Sequence, residues 1–404
     1  MTEQKFHLYA YRWVVSAVFM FINLTIQMLW ISYAPITGPA AQLYGVGDLQ
    51  IGLLSMVFMA AFIPLSIPVS WAIDTYGFRW PVTAGALLMG VCGLLRGLAG
   101  TNYTLVLWST VGIAIAQPFL LNAWTKVAAR WCGLEERATV VGLITLSNLV
   151  GTAVGMALTP VLLESLSIPS IQMWYGVAAA VSALLFLLLA RERPSTPPGP
   201  PELEARSLML DGLKHALTIR SFLFYLFVTF VGMVIFNGVS TWVEAIIRTR
   251  GFTPADVGSL GALMLIGGVL GAVIMPALSD RFRKRVPFLL TAVLLSIPGL
   301  VGLTFATSMW LLVISVVSMG FFLVSALPIG MQYSAEITYP TPEGTSNGLI
   351  QLCGQASVVI VFVMDLLKSP DGSFTPSLLL AIVLLVIGAG LILRMKEPGR
   401  VNHG

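Results

Sequence analysis

Long apolar stretches alternate with short polar turns along almost the whole chain. A helix needs about 20 apolar residues to cross a bilayer. By that measure the pattern predicts twelve membrane-spanning helices, near 13–35, 50–72, 80–99, 103–128, 137–163, 172–190, 220–248, 256–278, 285–305, 308–335, 344–367 and 374–394. Turn residues punctuate them, among them Gly45 to Asp48, Gly100 to Tyr103, Thr253-Pro254 and Pro340 to Gly344. The widest polar interruption, Arg191 to Arg220, is proline-rich and splits the spans into two sixes. The expected architecture is an all-α membrane protein: a six-helix bundle over 1–190, a linker over 191–219 and a second six-helix bundle over 220–404.

Composition supports this. The chain is 57% hydrophobic and 10% charged, where soluble proteins carry about 25% charged residues, so lipid is the solvent for most of the surface. Almost every residue falls in a span or a short turn, which leaves no room for a soluble catalytic domain. The first apolar run is too long for the core of a cleaved signal peptide and is expected to remain as the first helix. Cys92, Cys132 and Cys353 lack disulfide or metal-site spacing, and His7, His215 and His403 all lie outside the spans. No cofactor or metal is expected, and no span holds the nucleophile and base that an enzyme needs.

The net charge of +4 has an explanation other than nucleic-acid binding. With the N-terminus in the cytoplasm, all but four of the 22 Lys and Arg residues face inward; Arg96, Arg248, Arg250 and Lys368 face out. Cytoplasmic loops carry such an excess. Both termini and the linker are therefore expected to be cytoplasmic, in a multi-pass protein of the cell (plasma or inner) membrane, a monomer with the bilayer and a small solute as its partners.

The two halves echo each other. The turn after the second span reads Ser70-Trp71-Ala72-Ile73-Asp74-Thr75-Tyr76-Gly77-Phe78-Arg79, and that after the eighth reads Ser279-Asp280-Arg281-Phe282-Arg283-Lys284. By their numbers the two aspartates are 206 residues apart, about half the chain. Internal repetition of this kind marks transporters built from two related bundles. The pattern resembles the major facilitator superfamily, whose Asp-x-x-Gly-Arg loop is matched by Asp74, Gly77 and Arg79 with Phe78 inserted, and whose weaker second copy is matched by Asp280 and Arg281. The resemblance implies a cytoplasmic gate at these residues, with Glu336 and Glu343 joining it; otherwise they are positive-inside anchors.

Polar groups inside a bilayer are costly and usually face the bundle interior or a wet cavity. Asn23, Gln27 and Trp30 share one face of helix 1, Gln117 and Trp124 are seven apart on helix 4, Asn237, Thr241 and Glu244 share a face of helix 7, and Asn347, Gln351 and Gln355 recur every fourth residue on helix 11. Each amide taken singly is either a lining residue or interhelical glue; the mid-span set of Gln117, Asn237 and Gln355 is expected to line a neutral substrate cavity with Trp30, flanked by Gln27, Thr241 and Gln351. Trp30 is either a ring for a cation or an interfacial anchor. Glu244 is a coupling or vestibule acid, or the i,i+4 partner of Arg248. Gly151-x-x-x-Gly155 and Gly267-x-x-x-Gly271 are expected to be close helix contacts.

Several patches are similar to a narrower branch, the feline-leukaemia-virus-subgroup-C-receptor-related transporters: Tyr11-Arg12-Trp13, Ala116-Gln117-Pro118-Phe119, Leu327-Pro328-Ile329-Gly330 and Ala335-Glu336-Ile337-Thr338-Tyr339-Pro340. That resemblance implies facilitated transport of choline or ethanolamine, with haem export also proposed, and a quaternary ammonium held between aromatic rings beside glutamines. By position the ring falls on Trp30 and the glutamines on Gln117 and Gln355. The second aromatic falls on Asn237, which departs from the pattern. The expectation is an alternating-access carrier of a small polar or cationic metabolite; the alternative is a proton-coupled carrier of a drug, a carboxylate or haem.

Overall fold

The computed structural model describes residues 8–196, 209–339, 341 and 343–397. The described residues form helices and no strands. The chain separates into two compact units, Met1–Glu202 and Leu203–Gly404. The first contains α1 (Arg12–Ile31), a 3₁₀ turn (Ala34–Ile36), α2 (Thr37–Tyr44), α3 (Asp48–Tyr76), α4 (Arg79–Leu98), α5 (Tyr103–Leu121), α6 (Trp124–Trp131), α7 (Leu134–Leu163) and α8 (Ile168–Leu189). The second contains α9 (Met209–Thr218), α10 (Arg220–Arg248), α11 (Pro254–Phe282), α12 (Val286–Phe305), α13 (Met309–Ile337), α14 (Glu343–Gln355), α15 (Val358–Leu366) and α16 (Thr375–Ile392). Among the described residues twelve stretches are long and apolar enough to cross a membrane, as the hydrophobic pattern predicts.

Within the first unit α1 packs on α7 and α8, and α4 on α5 and α8; within the second α11 packs on α13, and α12 on α13 and α16. Glycine permits the closest of these approaches. A Cβ at Gly155 would lie 3.0 Å from the Met28 carbonyl oxygen, and one at Gly267 would lie 2.5 Å from that of Val317. Both expected glycine faces are thus pressed against a neighbouring backbone. The outward faces are apolar, with Leu98, Leu188, Val273 and Ile314 exposed, which suits a surface solvated by lipid tails.

Three spans differ from the uninterrupted helices predicted. Span 1 runs to Tyr44 instead of stopping near 35, and it breaks after Ile31, where Pro35 opens the 3₁₀ turn without an N–H to donate. Span 4 breaks at Asn122-Ala123, one turn after Pro118, and Asn122 turns its amide to Ser66 and Ser70 of α3. Trp124 therefore begins a new helix and does not continue the face of Gln117. Span 11 breaks at Ala356-Ser357, where the Ser357 N–H tightens onto the Gly354 carbonyl at 3.1 Å.

The expected linker has structure at both ends. Residues 191–196 stay on the first unit: the Trp131 indole donates to the Arg191 carbonyl at 2.9 Å, and the hydroxyls of Tyr9 and Thr196 are 3.0 Å apart. Residues 209–218 form α9, and 197–208 lie outside the described residues. We call the side of each unit where its first span begins and its last span ends the terminal face. Tyr11 donates to the Leu189 carbonyl there in the first unit, and the Lys396 N–H donates to Ser221 in the second.

Candidate functional site

The four residues expected at the centre of a binding site lie at the span interruptions. Trp30 is in the last turn of α1 and buried; its indole N–H donates to the Ser55 carbonyl at 3.1 Å, and the Ser55 hydroxyl returns a bond to the Trp30 carbonyl at 3.4 Å. With its N–H engaged, the ring has its π faces left to offer. Gln117 is buried in the last turn and a half of α5, beside Pro118. Gln355 is the final residue of α14 and half-buried. Asn237, on the continuous α10, donates its amide to the Ser357 hydroxyl at 3.0 Å inside the break of span 11. Discontinuous helices expose unpaired backbone groups, and membrane carriers build solute sites there.

The flanking residues divide. Gln27 donates to Asn148 of α7 at 2.8 Å, while its carbonyl oxygen has no partner among the described residues. Asn23 accepts from Trp124 at 2.9 Å and from Asn148 at 3.5 Å. The polar face of helix 1 is thus tied to α6 and α7. Asn148 was not anticipated, although Thr145 and Thr152 stand one turn to either side of it on the same helix. Thr241 is buried one turn beyond Asn237 with an unpartnered hydroxyl among the described residues, and Gln351 is half-buried one turn before Gln355. Glu244 is buried and pairs with Arg248 at 3.5 Å, the i,i+4 arrangement.

At the terminal faces the two units repeat one construction. Asp74 pairs with Lys126 at 3.0 Å, and Gly77 takes a φ of +83°, which favours glycine. The N–H groups of Phe78 and Arg79, at the start of α4, donate to the Glu192 carboxylate at 3.3 and 2.8 Å. In the second unit Asp280 pairs with Arg285, Arg285 pairs with Glu336 at 2.9 Å, and Gln332 donates to Glu336 at 2.9 Å. The N–H groups of Arg285 and Val286, at the start of α12, donate to Glu397 at 3.1 and 3.0 Å. Each carboxylate satisfies orphan donors and meets the positive end of a helix. Burial pulls the Arg285 guanidinium pKa down, but hydrogen bonds and charge from Glu336 and Asp280 outweigh it and raise it above the usual arginine value. Arg281 is exposed in the last turn of α11, and the Glu343 side chain lies outside the described residues.

Glu192 and Glu397 were missed, although a signal exists: Arg191-Glu192-Arg193-Pro194 follows span 6 much as Lys396-Glu397-Pro398 follows span 12. Arg96, counted among the outward charges, is buried in the last turn of α4, with its guanidinium against α1.

Two bundles of six spans, interrupted where polar side chains enter and clasped alike at their terminal faces, define a membrane transporter. The chain belongs to the Major Facilitator Superfamily, whose profile matches residues 15–361 and 243–403. It is 28% identical over 407 residues to the choline/ethanolamine transporter flvcr2b of Danio rerio, with 95% of this chain and 84% of that protein covered. It is 30% identical to solute carrier family 49 member A3 of Danio rerio (92% and 81% covered) and 27% identical to the choline/ethanolamine transporter FLVCR2 of Homo sapiens (96% and 78% covered). Among solved structures, a bacterial homologue of the human lysosomal transporter Spinster, inward-facing and unoccupied, shares the fold with a TM-score of 0.75 at 15% identity, covering 96% of this chain and 98% of that one. These relatives are transporters, not enzymes.

Proposed function

We propose that the protein moves a small organic cation or amino alcohol of the choline and ethanolamine kind by alternating access of its two units. Trp30, Gln117, Asn237 and Gln355 are its binding residues, with Gln27, Thr241 and Gln351 at the margins. The observation that carries this reading is that, within its own unit, each of those four residues lies at or against an interruption of span 1, 4 or 11. Gln117 and Gln355 lie toward the C-terminal ends of α5 and α14, where the helix dipole is negative and favours a cation. The Trp30 ring adds a π face, and the amides suit a hydroxyl or an amine. The names of the relatives support the same substrate class.

We take the terminal face of each unit to be cytoplasmic, because the Lys and Arg excess lies there, and the protein to be a monomer of the cell membrane. Asp74, Gly77, Arg79, Asp280, Arg281, Glu336 and Glu343 then belong to the cytoplasmic gate. The ion pair of Glu244 with Arg248 favours a structural part for that acid over proton coupling.

Ligand binding raises the melting temperature by mass action. Purified protein titrated with choline and ethanolamine is expected to melt at progressively higher temperature. No shift with either amine, alongside a shift with carboxylates, sugars or haem, would reject the substrate class and leave the family assignment standing.

A further inference from the structure

The least expected group in the first unit is Arg96. Its side chain is 1% exposed, within a span. Among the described residues it has no carboxylate partner, and its Nε–H has no acceptor. Its bonds go to dipoles: one Nη donates to the Leu29 carbonyl at 3.1 Å, the other to the Ser32 hydroxyl at 3.3 Å, and the guanidinium carbon stands 5.4 Å from the Tyr33 ring centre. Ser32 donates in turn to Leu29 and to Gln172 of α8.

Charge in this position is expensive, since desolvating a cation costs several kcal/mol unless its surroundings compensate. Packing alone does not call for it, because an apolar side chain fills the same volume. What the guanidinium meets is the broken end of α1. A helix leaves its last four carbonyls without intrahelical donors and carries negative partial charge there. Arg96 supplies both the donor and the positive charge. Leu29 and Ser32 flank Trp30, whose other side is held by Ser55 on α3. The last turn of α1 is thus gripped from two sides, with the Trp30 ring between the grips.

We propose that Arg96 is a positioning residue that caps the interrupted first span and thereby fixes the Trp30 ring for its cationic ligand. This rests on the reading of Trp30 as a binding residue, and the test separates the two claims. The first measurement is amide hydrogen exchange across residues 29–37 in the full-length protein and in Arg96→Gln. Exchange there is expected to speed up about tenfold, as for loss of a hydrogen bond to a charged group, with the remaining spans unchanged. The second is choline affinity, read from melting shifts, in Arg96→Gln, Trp30→Phe and the double variant. Arg96→Gln is expected to weaken choline about tenfold, and the double variant to be little weaker than the worse single one, because residues acting through one group do not add. A purely structural Arg96 would lower melting temperature with multiplicative effects on affinity. Arg96→Lys, which keeps the charge, covers the case in which Arg96→Gln does not fold, and is expected to recover part of both effects. Unchanged exchange over 29–37, or multiplicative effects, would overturn the proposal. If the unmodified protein gives no choline shift, the substrate reading falls and the exchange result alone decides the clamp.

Discussion

The amide of Asn237 reaches from the continuous seventh span to the hydroxyl of Ser357, 3.0 Å away in the gap between α14 and α15. Both residues are buried, so this bond joins the seventh span to the interruption of the eleventh. A double-mutant cycle of Asn237→Ala and Ser357→Ala, followed by thermal unfolding in detergent, is expected to give a coupling of about 0.6–1.7 kcal/mol, the range for interhelical bonds in membranes. Additive effects would mean that the bond does not hold the break.

Trp30 is expected to bind through its ring and not through its N–H, which Ser55 already accepts. Trp30→Phe should keep part of the choline-induced melting shift. Trp30→Ala should lose about 1–2 kcal/mol of binding free energy, the scale of a partly desolvated cation–π contact. Equal affinity in both variants and the unmodified protein would return Trp30 to packing.

The capping carboxylates make a local prediction. Glu192→Ala should free the N–H groups of Phe78 and Arg79, and Glu397→Ala those of Arg285 and Val286. Each is expected to cost about 0.5–2 kcal/mol, as for the loss of an N-cap. Amide exchange should speed up at the start of α4 in one variant and of α12 in the other. Faster exchange across a whole unit would show that the glutamate supports more than the helix end.

Glu244 stands ion-paired with Arg248. Glu244→Gln is expected to lower the melting temperature and to leave the pH profile of transport unchanged. A flattened profile would make Glu244 the proton carrier and revive the coupled reading.

Gly267 sets the contact of α11 with α13. Gly267→Val would drive its side chain into the Val317 carbonyl, and overpacking of that kind costs about 1–3 kcal/mol. The corresponding loss should appear as a lower melting temperature without any change in ligand preference at temperatures where the variant is folded.

Hydropathy made the twelve spans legible, because apolar length is a physical requirement of the bilayer and leaves its mark in every segment. Trp30, Gln117, Asn237 and Gln355 were also legible as polar or aromatic positions within apolar runs. The interruptions that organise them were not. Pro118 and Pro35 gave warning, yet proline is common in membrane helices that continue, as Pro64 and Pro68 do within α3. The break at Ser357 has no proline at all. It is marked by a hydroxyl that another helix claims, and such a partner is invisible along one dimension. The contacts of Arg96 were hidden for a related reason: a positive charge near a span end shows its acceptors only once the neighbouring helix is seen to end beside it.

The paired clasps also bear on ancestry. By their numbers Glu192 and Glu397 are 205 residues apart, and Gly77 and Arg283, which both take positive φ (+83° and +52°), are 206 apart. Duplication of a six-span ancestor accounts for both spacings at once. The shared feature is the backbone's: a left-handed step and a carboxylate to receive the next helix occur in each half. The side chain at that step differs, glycine in one half and arginine in the other, so what the two halves share there is a geometry more than a sequence.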